Sequence, residues 1–144
     1  MGVYWMGDDK SMNTLNATIT AVTTSEHLSI LTVTVGDDPF HLLLAEASNA
    51  DDLIGTNITL AFKETEVILS KEPINTTANI GRATVQKIER GTVLSQITLL
   101  YHETIITALV PTLTFDTLEI NETNNIYWMV QPSEISLLRG SNGI

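Results

Sequence analysis

The chain has 144 residues, enough for one ordinary domain or two small ones, and 7 Lys and Arg against 17 Asp and Glu give a formal charge of −10. It has no cysteine, which excludes disulfides, thiolate metal sites and thiol catalysis, and its scattered cations form no basic stripe for nucleic acid. A hydrophobic content of 43% with 17% charged residues fits a folded globular chain and not a disordered one, and no apolar run is long enough to span a membrane.

Residues 1–12 match nothing later in the chain and read as an N-terminal extension, with Met12-Asn13 as the expected natural start. Met1 to Lys10 has neither a basic n-region nor a long apolar core, so no signal peptide is expected and the cytoplasm is the default location. The pattern predicts a first strand from Asn13, with Ile19 and Val22 flanking its end and the following turn. Thr32-Val33-Thr34-Val35 alternates polar and apolar residues, the period of a half-buried strand. Gly36-Asp37-Asp38-Pro39 is a turn by composition, and Phe40 to Leu44 a more buried strand. Ala45 to Leu53 has few β-branched residues and is expected to form a short helix capped by Ser48 or Asn49. After Gly55-Thr56-Asn57, apolar residues alternate again through Ile58 to Phe62.

Next comes Phe62-Lys63-Glu64-Thr65-Glu66-Val67, a stretch that returns near the C-terminus as Val130-Gln131-Pro132-Ser133-Glu134-Ile135. The hydroxyls of Thr65 and Ser133 lie 68 positions apart, and the openings Asn13 and Asn79 lie 66 apart. Between them Leu94 to Tyr101, Thr104 to Val110, Thr114 to Leu118 and Ile126 to Val130 repeat the first half's order, with Lys71 to Asn75 as a short linker. A chain that repeats itself at half its length is two similar units. The expected organisation is an extension at 1–12, unit 1 at 13–71, unit 2 at 76–138 and a tail at 139–144. The expected fold is all-β with short helices: two tandem OB-like five-stranded β-barrels, each running β-β-β-α-β-β. A unit this small buries too little surface to be self-sufficient, so docking of the units or oligomerisation is expected.

These paired motifs, with each unit opening on Asn and then Ala-Thr-hydrophobic, resemble the Mop or TOBE domain of the molbindins and of molybdate-responsive regulators and transporter ATPases. The resemblance covers residues 12–138, nearly the whole chain. It implies a homotrimer of two-unit chains that binds molybdate or tungstate at unit–unit interfaces by hydrogen bonds, with no metal ligation, catalysis, nucleic acid or membrane involved. The family's Lys-x-Ser/Thr motif is intact as Lys63-Glu64-Thr65 and is Gln131-Pro132-Ser133 in unit 2. Its Ser-Ala-Arg-Asn-type opening aligns with Thr76-Thr77-Ala78-Asn79, where alanine replaces the arginine, and with Lys10-Ser11-Met12-Asn13, where only the asparagine matches. The hydroxyl near the short helix is Ser48 in one unit and Thr114 in the other. The implied oxyanion-binding set is therefore Lys63, Glu64 and Thr65 with Ser48 and a facing Thr76 or Thr77, and Asn79, Thr114 and Ser133 at the related positions.

The chemistry suits the ligand. A tetrahedral dianion has only acceptor oxygens and needs several N–H and O–H donors with about one positive charge. The missing arginine, Gln131 and the N–H-less Pro132 lead us to expect fewer anions per trimer than equivalent interfaces. Plainer roles stand beside these. Lys63 is otherwise an exposed lysine paired with Glu66; Thr65 and Ser133 otherwise close a turn; Asn13 and Asn79 otherwise fix a turn in each unit. His27, His41 and His102 lack metal-ligand spacing, and the pairs Asp8-Asp9, Asp37-Asp38 and Asp51-Asp52 read as solvated turns. Two functions remain: oxyanion storage in the cytoplasm, or a ligand-free Mop-like module that partners a transporter or regulator.

Overall fold

The computed structural model describes residues 12–45, 50–74 and 79–138. In chain order these form β1 (Met12–Ser25), β2 (Leu28–Val35), β3 (Asp38–Leu44), a 3-10 turn at Ala50–Leu53, β4 (Asn57–Lys63), a 3-10 turn at Glu64–Glu66 and β5 (Ile68–Ser70). The second half gives β6 (Ile80–Glu89), β7 (Leu94–Tyr101), β8 (Thr104–Pro111), α1 (Thr112–Leu118), β9 (Asn125–Met129), a 3-10 turn at Pro132–Glu134 and β10 (Ser136–Leu138). The fold is all-β with two curled, five-stranded antiparallel sheets, ordered β10-β4-β1-β2-β3 and β5-β9-β6-β7-β8.

The sheets are not coextensive with the sequence units. The last strand of each half crosses over to the sheet of the other half. Ile68 and Leu69 pair with Met129 and Trp128 of β9, while Ser136 and Leu137 pair with Ala61 and Leu60 of β4. These two pairings are repeat-equivalent, so the exchange is reciprocal. Neither half completes its sheet without a strand from the other.

Alternation builds the core. Leu31, Val33 and Val35 of β2 and Ile97, Leu99 and Tyr101 of β7 point inward, while the residues between them are partly exposed. The inward faces of both sheets belong to one hydrophobic cluster. At its centre Trp128 stacks on Phe62 at 5.6 Å and 13°, meets Tyr101 edge-on at 5.0 Å and touches Phe40 at 5.5 Å. Two of those three rings come from the first half. Trp128 fits because its partner across the β6–β9 ladder is Gly81, where a Cβ would lie 2.7 Å from the indole Nε1 and from Tyr101. The repeat-equivalent pair in the first half is Leu15 opposite Leu60, so one large and one absent side chain replace two of middle size.

Several local expectations change. No turn follows Val22. A bulge between Ile19 and Ala21 inserts Thr20, whose hydroxyl bonds the Thr32 carbonyl, and Val22 goes on pairing with Leu31. β1 therefore runs 14 residues, to a turn at Glu26-His27, and is not a short strand. The β6 strand carries the equivalent bulge between Val85 and Lys87. The Gly36–Pro39 turn contracts to Gly36-Asp37, and Pro39 lies within β3, pairing with Thr34. β3 is an edge strand, where a residue without N–H is tolerated. Of the helix expected at 45–53, the described residues Ala50–Leu53 form a 3-10 turn, and the expected cap at Ser48 or Asn49 lies outside the described residues. In the second half the helix is α-helical and starts two residues earlier than expected, directly after Pro111.

Candidate functional site

The two signature stretches have the same backbone. Lys63 ends β4 at φ −73°, ψ 149°, and Gln131 has φ −73°, ψ 144°. A single 3-10 turn follows each, closed by Val67 N–H donating to the Glu64 carbonyl and by Ile135 N–H donating to the Pro132 carbonyl, both at 3.4 Å. The local sequence dictates this. Buried Phe62 and Val67 anchor the ends of the first turn, and buried Val130 and Ile135 those of the second, so the polar residues between are forced outward. What differs is chemistry: the Lys63 ammonium is replaced by the neutral carboxamide of Gln131, and the backbone N–H of Glu64 has no counterpart at Pro132.

Each turn lies against an edge strand of the other half, Glu64–Glu66 on β8 and Pro132–Glu134 on β3. Lys63, Glu64 and Thr65 therefore sit beside β8, from whose end the α1 helix carrying Thr114 departs, and Ser133 sits beside β3. The expected residues divide between two related places. Ser48, Thr76 and Thr77 lie outside the described residues.

Beside each turn an asparagine holds the strand. The Asn13 amide donates to the Thr107 carbonyl at 2.8 Å and accepts from the Thr107 N–H at 2.8 Å. Asn79 does the same to His41, donating at 2.7 Å and accepting at 2.6 Å. The sequence suggested that each fixes a turn in its own unit; the bonds seen among the described residues reach the other half. Each side chain instead mimics a ladder rung and joins its own sheet to the outward edge of the other. Asn79 is fully buried with both ends of its amide engaged by His41, which places it in the framework of the β3 side.

Lys63 is exposed and has no ion pair or hydrogen bond among the described residues, so the pairing with Glu66 does not form. Thr65 and Ser133 are exposed, and among the described residues their hydroxyls close no turn by side-chain bonding. Burial raises the Glu64 carboxyl above its ordinary value. β8 brings no charged residue to the turn. Among the described residues this leaves an exposed ammonium and an exposed hydroxyl without partners, with backbone amides at the start of a 3-10 turn. That donor set is suited to a small anion's oxygens.

Other polar features are structural. The Tyr101 hydroxyl donates to Asp38 across the two halves, and His102 Nε2 lies 3.6 Å from the same carboxylate oxygen. Burial and then the Asp38 contact push the Tyr101 hydroxyl far up. His102 occupies the position equivalent to Gly36, both with positive φ, and a Cβ on Gly36 would lie 2.7 Å from the His102 ring. Equivalent positions that touch mark the axis relating the halves. Arg90 clasps Asp116 with two hydrogen bonds and pins α1. A shallow groove lined by Thr23, Ser25, Glu26, His27, Leu28 and Ile30 lies at the β1–β2 tip, apart from Lys63 in the chain's layout. No group of three or more metal-ligating side chains occurs among the described residues, and no helix described is long and apolar enough to cross a membrane.

No protein family and no curated protein sequence matches this chain. Among solved structures it is similar to ModG, described as a cytoplasmic molybdate-binding protein, in a form grown from polyethylene glycol with molybdate bound. The likeness has a TM-score of 0.78 at 20% sequence identity and covers 87% of this chain and 94% of that one. At that identity what the two chains share is the fold, two OB-like units in tandem.

Proposed function

We propose that this chain is a tandem Mop-type protein that binds a small tetrahedral oxyanion, molybdate or tungstate, by hydrogen bonds and without catalysis. The observation that carries this reading is the Lys63-Glu64-Thr65 turn: an exposed ammonium and hydroxyl without partners among the described residues, on a fold shared with a molybdate-binding protein. The reading places the chain in the cytoplasm as a homotrimer that stores or buffers the anion, with Ser48 and Thr76 or Thr77 of a neighbouring unit closing the site. Exposed apolar side chains such as Ile105 and Leu113 support assembly beyond one chain.

A second reading has its own observation. Gln131-Pro132 keeps the turn's backbone while removing both charge and N–H, which is what loss of a ligand without loss of fold produces. Taken to both units, this would make the chain a ligand-free module that partners a transporter or regulator. Equilibrium dialysis with molybdate, tungstate and sulfate, followed by elemental analysis, separates the two. Retention of molybdate or tungstate over sulfate is expected; no retention of any anion supports the second reading.

A further inference from the structure

We propose that capture of an oxyanion beside Lys63 and Thr65 is coupled to uptake of one proton by the Glu64 carboxyl. The inference rests on the oxyanion reading above and adds to it a residue that sets when the site is competent. Glu64 is the middle residue of the motif, and consecutive Cα atoms are about 3.8 Å apart, so an anion touching both neighbours lies within reach of a glutamate side chain from that position. The carboxylate is half-buried, with neither a hydrogen bond nor an ion pair among the described residues.

The surroundings leave that charge little to lean on. β8, the strand packed on the turn, contributes only Thr, Ile, Ala, Leu, Val and Pro. Asn13, which holds that strand, is neutral. The ionisable neighbours on the turn's own segment are Lys63 before it and Glu66 after it. Once a dianion takes Lys63, a half-buried carboxylate would remain beside two like charges with no cation of this segment to offset it. Taking one proton from solvent removes that conflict. It also turns an acceptor into an O–H donor, which is what the anion's oxygens accept. The anion stays a dianion, and no bond in the protein other than the new O–H changes. Burial already raises the free Glu64 carboxyl, so the group starts partway toward the protonated form. Pro132 stands at the equivalent place in the second half, so the coupling belongs to the first turn alone.

The test is titration calorimetry of the full chain with sodium molybdate, at several pH values in the neutral range where this anion stays deprotonated. Buffers of different ionisation enthalpy then count protons taken up per anion. The expected result is close to one proton per anion, with affinity falling by up to about tenfold per pH unit as pH rises. The near-isosteric Glu64→Gln should bind with no proton uptake and little pH dependence, with thermal unfolding confirming that it folds. Binding without proton uptake, or uptake that persists in Glu64→Gln, overturns the coupling and leaves the oxyanion reading standing. Absence of molybdate binding by the wild-type chain overturns both.

Discussion

The side-chain amide of Asn13 bonds both the N–H and the carbonyl of Thr107, 94 residues away, so that one side chain serves as a rung between two sheets. Asn79 repeats this on His41, and 66 residues separate both Asn13 from Asn79 and His41 from Thr107. Together with the exchanged strands β5 and β10, these clamps make the two halves one cooperative body.

Truncating either clamp should therefore destabilise the whole fold. Asn13→Ala and Asn79→Ala each leave a backbone N–H and carbonyl without partners, at about 1–3 kcal/mol per buried group. Urea unfolding should show both variants with lowered midpoints and one transition followed by every probe. A second transition, with one half melting first, would contradict the interlocked description.

Trp128 and Gly81 should behave as a coupled pair. Trp128→Leu empties part of the core at a cost of roughly 3 kcal/mol, by analogy with other large-to-small changes. Gly81→Leu drives a side chain into the indole. The double variant recreates the Leu15–Leu60 pairing of the first half and should recover part of both losses. A double-mutant cycle that comes out additive would show that the two sites do not share their space.

The Tyr101 hydroxyl should resist ionisation. Burial, followed by its bond to Asp38, raises its folded-state value above the unfolded one near 10. The sign follows: this contribution to stability is full below the ordinary tyrosine value and is lost as pH rises through the folded-state value. Absorbance at alkaline pH should show one tyrosinate appearing only with unfolding, and Tyr101→Phe should remove that step. Tyr101→Phe should also cost about 1 kcal/mol at neutral pH, the scale of a partly exposed hydrogen bond.

Much of the fold was legible because the repeat is written in chemistry that strands require. Alternation at Thr32–Val35, turn residues at Gly36-Asp37 and the doubled signature located the elements and their order. The strand exchange was not legible, since Ile68–Ser70 and Ser136–Leu138 are three-residue strands whose sequence states a face and not a partner. The bulge at Thr20 was likewise hidden: an inserted residue shifts facing only once the β2 register is known. The two asparagines stood out by their spacing, yet a side chain that bonds a backbone 94 residues away leaves no mark at its target. Of the candidate site, the Lys63–Thr65 turn was read from its motif. Its placement on β8 depended on the exchange and could not be.

The central claim is that the first signature turn, and not the second, provides the cation for an oxyanion. It is tested most directly by titration calorimetry with molybdate on the wild-type chain, Lys63→Ala and Gln131→Ala. Removing a charged hydrogen-bond donor costs about 1.5–3 kcal/mol, so Lys63→Ala should bind roughly ten- to 150-fold more weakly, while Gln131→Ala should stay near the wild-type affinity. Equal affinities for wild type and Lys63→Ala, or a larger loss in Gln131→Ala, would contradict the account.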